Sequence, residues 1–121
     1  MPDDYLVTLI EWATAPEHDG ETSITLNTSG LIITGRIVSE RLYVAETARY
    51  LAHISGEDPE SVLEGLNVWF GRTEEVSDEA PRYIHLAEAK IVGGLGSAIE
   101  VDSWRGRLEA IVGFTLGGLD V

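Results

Sequence analysis

Hydrophobic spacing changes along this 121-residue chain, and each change predicts a new element. Near the start, Tyr5, Leu6, Leu9, Ile10, Trp12 and Ala13 recur at three- and four-residue intervals, the period of an amphipathic helix. Asp3 or Asp4 is placed to cap it, and Pro16 with the polar run to Gly20 ends it. Ser23 to Thr28 then alternates polar and apolar residues, predicting a strand with Ile24 and Leu26 inward. After the turn signal Ser29-Gly30, Leu31 to Val38 is rich in β-branched residues and predicts the second strand of a hairpin. Gly35 within that strand marks a bulge or a sharp bend.

The period then returns to that of a helix. Ser39-Glu40 opens a stretch to about Ile54, with Leu42, Tyr43, Thr47, Tyr50, Leu51 and Ile54 near one face, closed by Ser55-Gly56. Asp58-Pro59 has the form of a cap followed by proline at the first helical position. The helix it starts presents Val62, Leu63, Leu66, Trp69 and Phe70. Thr73 to Pro81 is acidic and predicts a loop. Two glycine-punctuated strand candidates follow, Tyr83 to Val92 and Trp104 to Gly117, joined by a loop from Gly93 to Asp102. In this reading Gly106, Gly113 and Gly117 are bend or turn points on one long final strand.

The expected fold class is α+β within a single domain, residues 1–121. It is a small, strongly bent antiparallel β-sheet or a barrel resembling the Sm-like and SH3-like types. An N-terminal helix precedes the sheet, and a two-helix insert over about residues 40–76 separates strands 2 and 3. An open antiparallel sheet with helices packed on one face is the competing architecture.

Charge narrows the partners. The formal net charge is −13, and it is uneven: residues 1–38 hold six acids and one base, residues 39–81 ten and three, and residues 82–121 five and four. A field of that sign repels phosphate backbones, so nucleic acid is not an expected partner. No apolar run approaches the roughly 18 residues that span a bilayer. The acidic start, Met1-Pro2-Asp3-Asp4, lacks the basic character of a signal peptide, so the expected location is cytoplasmic and no membrane partner is expected. With no cysteine, disulfides, thiolate catalysis and Cys-type zinc sites are excluded.

The candidate chemistry is sparse. His18, His53 and His85 have no i, i+4 partner of the zinc-helix kind, and in strict alternation His85 faces opposite to Ile84 and Leu86. A proton switch at His85 is its sharp functional reading and a packed strand position its plain one. Gly93-Gly94-Leu95-Gly96-Ser97 resembles a phosphate loop only on the surface, since no lysine follows and no helix begins there. No nucleophile elbow is present, and no catalytic, metal or cofactor residue is assigned. Trp104, Arg105 and Arg107 stand out because Trp and Arg anchor interfaces through large contact area and directional donors. On a regular strand the two arginines share one face opposite Trp104, suited to an acidic neighbour, a second copy included. The plain reading places Trp104 in the core and the arginines in internal salt bridges. Candidate contact residues are thus Trp104, Arg105, Arg107, His85, Trp69 and Phe70.

Several of these words also carry a family resemblance. Leu26-Asn27 with Gly30 and Ile33-x-Gly35, Tyr83-Ile84-His85-Leu86 with Lys90-Ile91, Trp104-Arg105-Gly106-x-Leu108, and Gly113-Phe114-x-Leu116-Gly117 together resemble the gas vesicle accessory protein U (GvpU) family. The likeness runs from about Ser23 to Gly117, firm in the strands and loose in the helical insert. It implies a cytoplasmic, non-enzymatic protein associated with gas vesicles, acting in vesicle assembly or clustering. Its implied partners are the vesicle shell, other gas vesicle proteins and further copies of itself. It transfers no catalytic residue. Members of the family carry a polar, basic tail beyond the last strand, whereas this sequence stops at Val121, so no tail-dependent behaviour is carried over. The alternative is an Sm-like oligomeric module binding a small ligand or a nucleic acid, and the weakest reading is an enzyme using His85 with a nearby carboxylate.

Overall fold

The computed structural model describes residues 3–69, 81–94 and 96–118. They fall into two compact units, one within Met1–Ser39 and Pro81–Val121, the other within Glu40–Ala80.

In the first unit α1 (Asp4–Ala13) begins where Asp3 Oδ1 accepts a hydrogen bond from the Tyr5 amide at 2.8 Å. That bond satisfies one of the donors a helix start leaves unpaired. Leu6, Ile10 and Ala13 form its buried stripe, and Tyr5 and Trp12 stay exposed. Thr14 closes it, its amide and hydroxyl both donating to the Ile10 carbonyl.

β1 (Thr22–Thr28) and β2 (Ile32–Val38) form the expected hairpin, in register from Thr22 opposite Ile37 to Asn27 opposite Ile32. β3 (Tyr83–Val92) pairs antiparallel with β2. Ile24, Leu26, Ile33, Ile37, Ile84 and Leu86 are buried on one sheet face, in one cluster with Leu6, Ile10 and Ala13 of α1. The alternation that predicted these strands is the alternation that fills this core.

Gly35 sits where β3 holds one residue too many. Thr34 faces Lys90 and Arg36 faces Ala87, so Glu88 and Ala89 together oppose Gly35. Glu88 takes a left-handed conformation (φ 49°), and the bulge brings β3 close: a Cβ on residue 35 would lie 3.0 Å from the Ala87 carbonyl oxygen. Glycine is required here by approach. The extra residue also changes the phase of β3, so Leu86 and Ala89, three apart, both face the core.

The C-terminal third differs from expectation. The single strand expected over Trp104–Gly117 is two strands, and the loop expected to reach Asp102 ends earlier. β4 (Ala98–Arg107) pairs with β3, a short 3₁₀ turn (Leu108–Ala110) follows, and β5 (Ile111–Leu116) crosses to pair with β1. The turn is anchored by the buried Leu108, whose amide donates to the Arg82 carbonyl at 2.9 Å. Of the three glycines expected as bends, only Gly117 has a left-handed φ. Gly106 instead lies beneath the Trp104 indole, which occupies the space a Cβ would need.

The result is an α+β fold whose five-stranded antiparallel sheet has the order β4-β3-β2-β1-β5. It is open: among the described residues no pairing joins β4 to β5, so these strands are its two edges.

In the second unit α2 (Glu40–Ser55) and α3 (Pro59–Trp69) pack together. The expected boundaries hold to within a residue or so, but the expected apolar face of α2 does not. Leu42, Tyr50, Leu51 and Ile54 are exposed, whereas Ala48 and Ala52 are buried.

Candidate interaction surface

Register assigns each strand residue to a face. Core-facing Leu86 stands opposite Trp104, and Ala89 opposite Val101, so Trp104 and Val101 point to the core side and pack against it. On the other sheet face lie the rows Val38–His85–Arg105, Arg36–Ala87–Ser103 and Thr34–Lys90–Glu100, with Tyr83 opposite Arg107. The Trp104–Arg107 patch is therefore divided: the indole belongs to the core, the two arginines to the opposite face.

His85 is only 6% exposed although it faces away from Ile84 and Leu86. Its Nε2 accepts a hydrogen bond from Arg105 Nε at 3.1 Å, which requires a neutral ring with its proton on Nδ1. The Arg105 guanidinium in turn lies 3.8 Å from the centre of the Tyr83 ring, a cation–π contact. His85 thus orients Arg105. Arg36 is held at both ends, donating from Nη1 to the Gly20 carbonyl at 2.7 Å and pairing through Nη2 with Glu88 at 2.9 Å.

This face gathers Arg36, Lys90, Arg105 and Arg107, half of the chain's eight lysines and arginines, on a protein of net charge −13. Along β4 the charges are segregated: Glu100 and Asp102 occupy the first half, Arg105 and Arg107 the second. Both sheet edges also expose aliphatic side chains, Ile99 on β4 and Val112 and Leu116 on β5. Sequence reasoning missed Tyr83 as a platform and the Arg36–Glu88 tie, because both depend on cross-strand register. The acid-then-base order of β4 is legible in the sequence, but Glu100 and Asp102 fall within the loop expected over Gly93 to Asp102.

The remaining candidates lie in the helical unit. Trp69 is the last residue of α3, and Phe70 lies outside the described residues. Tyr50, Ile54 and Val68 are exposed there, at 62%, 65% and 80%. Among the described residues no group of three or more His, Asp or Glu side chains could hold a metal ion. No described helix is long and apolar enough to cross a membrane.

Fold and surface together define a class: an α+β protein with an open antiparallel sheet, a charge-segregated sheet edge and a helical unit that exposes several apolar side chains. A family model described as "Gas vesicle protein GvpU-like" matches residues 3–119, nearly the whole chain. The chain belongs to the GvpU-like family of gas vesicle proteins, in accord with the resemblance carried by its strand residues. No curated protein matches it.

Proposed function

We propose that this protein is a non-enzymatic gas vesicle accessory protein that acts in the cytoplasm on vesicle assembly or clustering, through protein–protein contacts and self-association. The observation that carries the reading is the family match over residues 3–119. Exposed contact groups support the mode of action. The helical unit displays Tyr50, Ile54 and Val68 and is the side offered to the vesicle shell or to other vesicle proteins, with Trp69 and Phe70 as further candidate contacts from the sequence. Arg105 and Arg107, with His85 as a positioning residue and Trp104 as the packed base of β4, are the side offered to further copies. The engaged His85 nitrogen favours contact over catalysis.

Deleting the gene in a vesicle-forming host tests this directly. Vesicle clustering or number should change, and unaltered vesicle number, shape and clustering would sink the reading. In a cosedimentation assay with purified vesicles, Trp69→Ala with Phe70→Ala should lower the bound fraction several-fold.

A second reading, an Sm-like oligomeric binding module, has one specific support. An N-terminal helix leads into strands ordered β5-β1-β2-β3-β4, with a 3₁₀ turn linking the two edges, and this resembles the arrangement of that fold. The net charge of −13 weighs against its nucleic-acid form. Retention of RNA on a filter at low salt would revive it.

A further inference from the structure

We infer that β4 is a self-complementary edge, and that two copies of the protein join through it as an antiparallel, two-fold symmetric strand pair. The inference rests on the self-association part of the proposed function and specifies its geometry.

The starting point is an edge that carries opposite charges at its two ends. β4 is ten residues long, and among the described residues only its β3 side is paired. Long free edges invite pairing, and charged side chains along them decide which partner is accepted. In an antiparallel match of β4 with its own copy, the acidic first half of each strand meets the basic second half of the other. Register alone does not suffice, because residues set opposite each other must also point to the same face.

Here the phase change shared with β3 matters. Ile99, Val101, Trp104 and Gly106 face the core side, each standing opposite a β3 residue of that side, while Glu100, Ser103, Arg105 and Arg107 face the other. One register satisfies every pair around the central Asp102–Ser103 step. It places Glu100 opposite Arg105 of the second copy, Val101 opposite Trp104, Ile99 opposite Gly106 and Ala98 opposite Arg107. Had the strand been regular, Glu100 and Arg105 would lie on different faces and could not meet. The irregularity at Asp102, facing the bulge residue Glu88, brings them to one face.

The match accounts for two further observations. Ile99, 62% exposed, would pack against the partner's Trp104 indole, which lies over Gly106. Arg105 is aimed by His85 and Tyr83, which restricts its rotamers before any partner arrives and lowers the entropy lost on pairing. The two-fold axis makes each contact occur twice, as an isologous interface requires.

Charge exchange tests the pairing, read as sedimentation mass over a concentration series. The unaltered protein should be a dimer. Glu100→Arg sets arginine against arginine twice, and Arg105→Glu sets glutamate against glutamate twice, so each variant alone should dissociate roughly tenfold more readily or worse. Mixing the two variants one to one should restore the dimer, because both facing pairs are then opposite in charge. The double variant should dimerise by itself. In the otherwise cysteine-free chain, Ser103→Cys beside the axis should crosslink two copies under mild oxidation, and Val112→Cys on β5 should not. Circular dichroism melts identify any variant that fails to fold, and the cysteine pair then decides in its place. A dimer that ignores both charge variants, or one that crosslinks through Val112, overturns the β4 pairing and leaves self-association standing. A monomer at every concentration overturns the pairing and the self-association reading together, without touching the family's link to gas vesicles.

Discussion

The sheet unit and the helical unit draw on the same apolar alphabet and use it in opposite ways. In the first, Leu6, Ile24, Leu26, Ile33, Ile37, Ile84, Leu86 and Leu108 are each fully buried. Among the described residues of the second, only Ala48 and Ala52 are buried, and Leu42, Tyr50, Leu51, Ile54 and Val68 are exposed. Burial of large aliphatic side chains is the main favourable term in folding, so stability resides in the sheet and α1. Contiguous exposed apolar surface is a common mark of interaction sites. The difference separates a packed core from exposed apolar surface within one short chain.

Substitution can break or sharpen that contrast. The largest effects belong to the sheet core: Leu86→Ala or Leu26→Ala should cost about 2–5 kcal/mol of unfolding free energy in a denaturant titration. A loss below about 1 kcal/mol at both would place the core elsewhere. Next comes Gly35→Val, which drives a branched side chain into the Ala87 carbonyl and the Leu86 side chain and should cost about 1–3 kcal/mol. Asp3→Ala removes the cap of α1 and should cost about 1 kcal/mol, read as a lower melting temperature. Ile54→Ser in the helical unit should shift stability by no more than about 0.5 kcal/mol, as an exposed position does. The same ordering should appear in hydrogen exchange, with amides of β2 and β3 most protected and those of α2 and α3 exchanging sooner.

At the bulge the outcome is finer. Glu88→Asn relieves a left-handed conformation that asparagine tolerates better, and it gives up an exposed ion pair worth about 0–1 kcal/mol. The two nearly offset, so a melting temperature within a few degrees of the starting protein is expected. A large loss would show that the Arg36–Glu88 tie holds β2 against β3.

How much was legible follows from where each residue's partner lies along the chain. The cap at Asp3, the starts of both insert helices and the limits of β1, β2 and β3 depend on near neighbours, and all were readable from spacing. The division of the last third was not. β4 is an edge strand whose first five residues are exposed or half-buried, so it carries no alternation of burial to betray it. Leu108-Glu109-Ala110 has the wording of a strand, and it turns only because Leu108 seats in the core and binds Arg82. In α2 small residues took the buried positions, and alanine contributes little to a hydrophobic stripe.

The candidate surface divides along the same line. The sequence by itself determined which residues were available: basic residues enriched toward the C-terminus, an Arg-Trp-Gly cluster, and a family likeness that the match over residues 3–119 bears out. Tertiary structure decided which of them act together. The pairing of Val38, His85 and Arg105 in one row, the stacking of Arg105 on Tyr83, the withdrawal of Trp104 to the core side and the alignment of Glu100 with Arg105 on one face all come from strand register. The physical reason is that a single extra residue in a strand reverses the face of every side chain beyond it. Composition does not record that step; the hydrogen-bond ladder does.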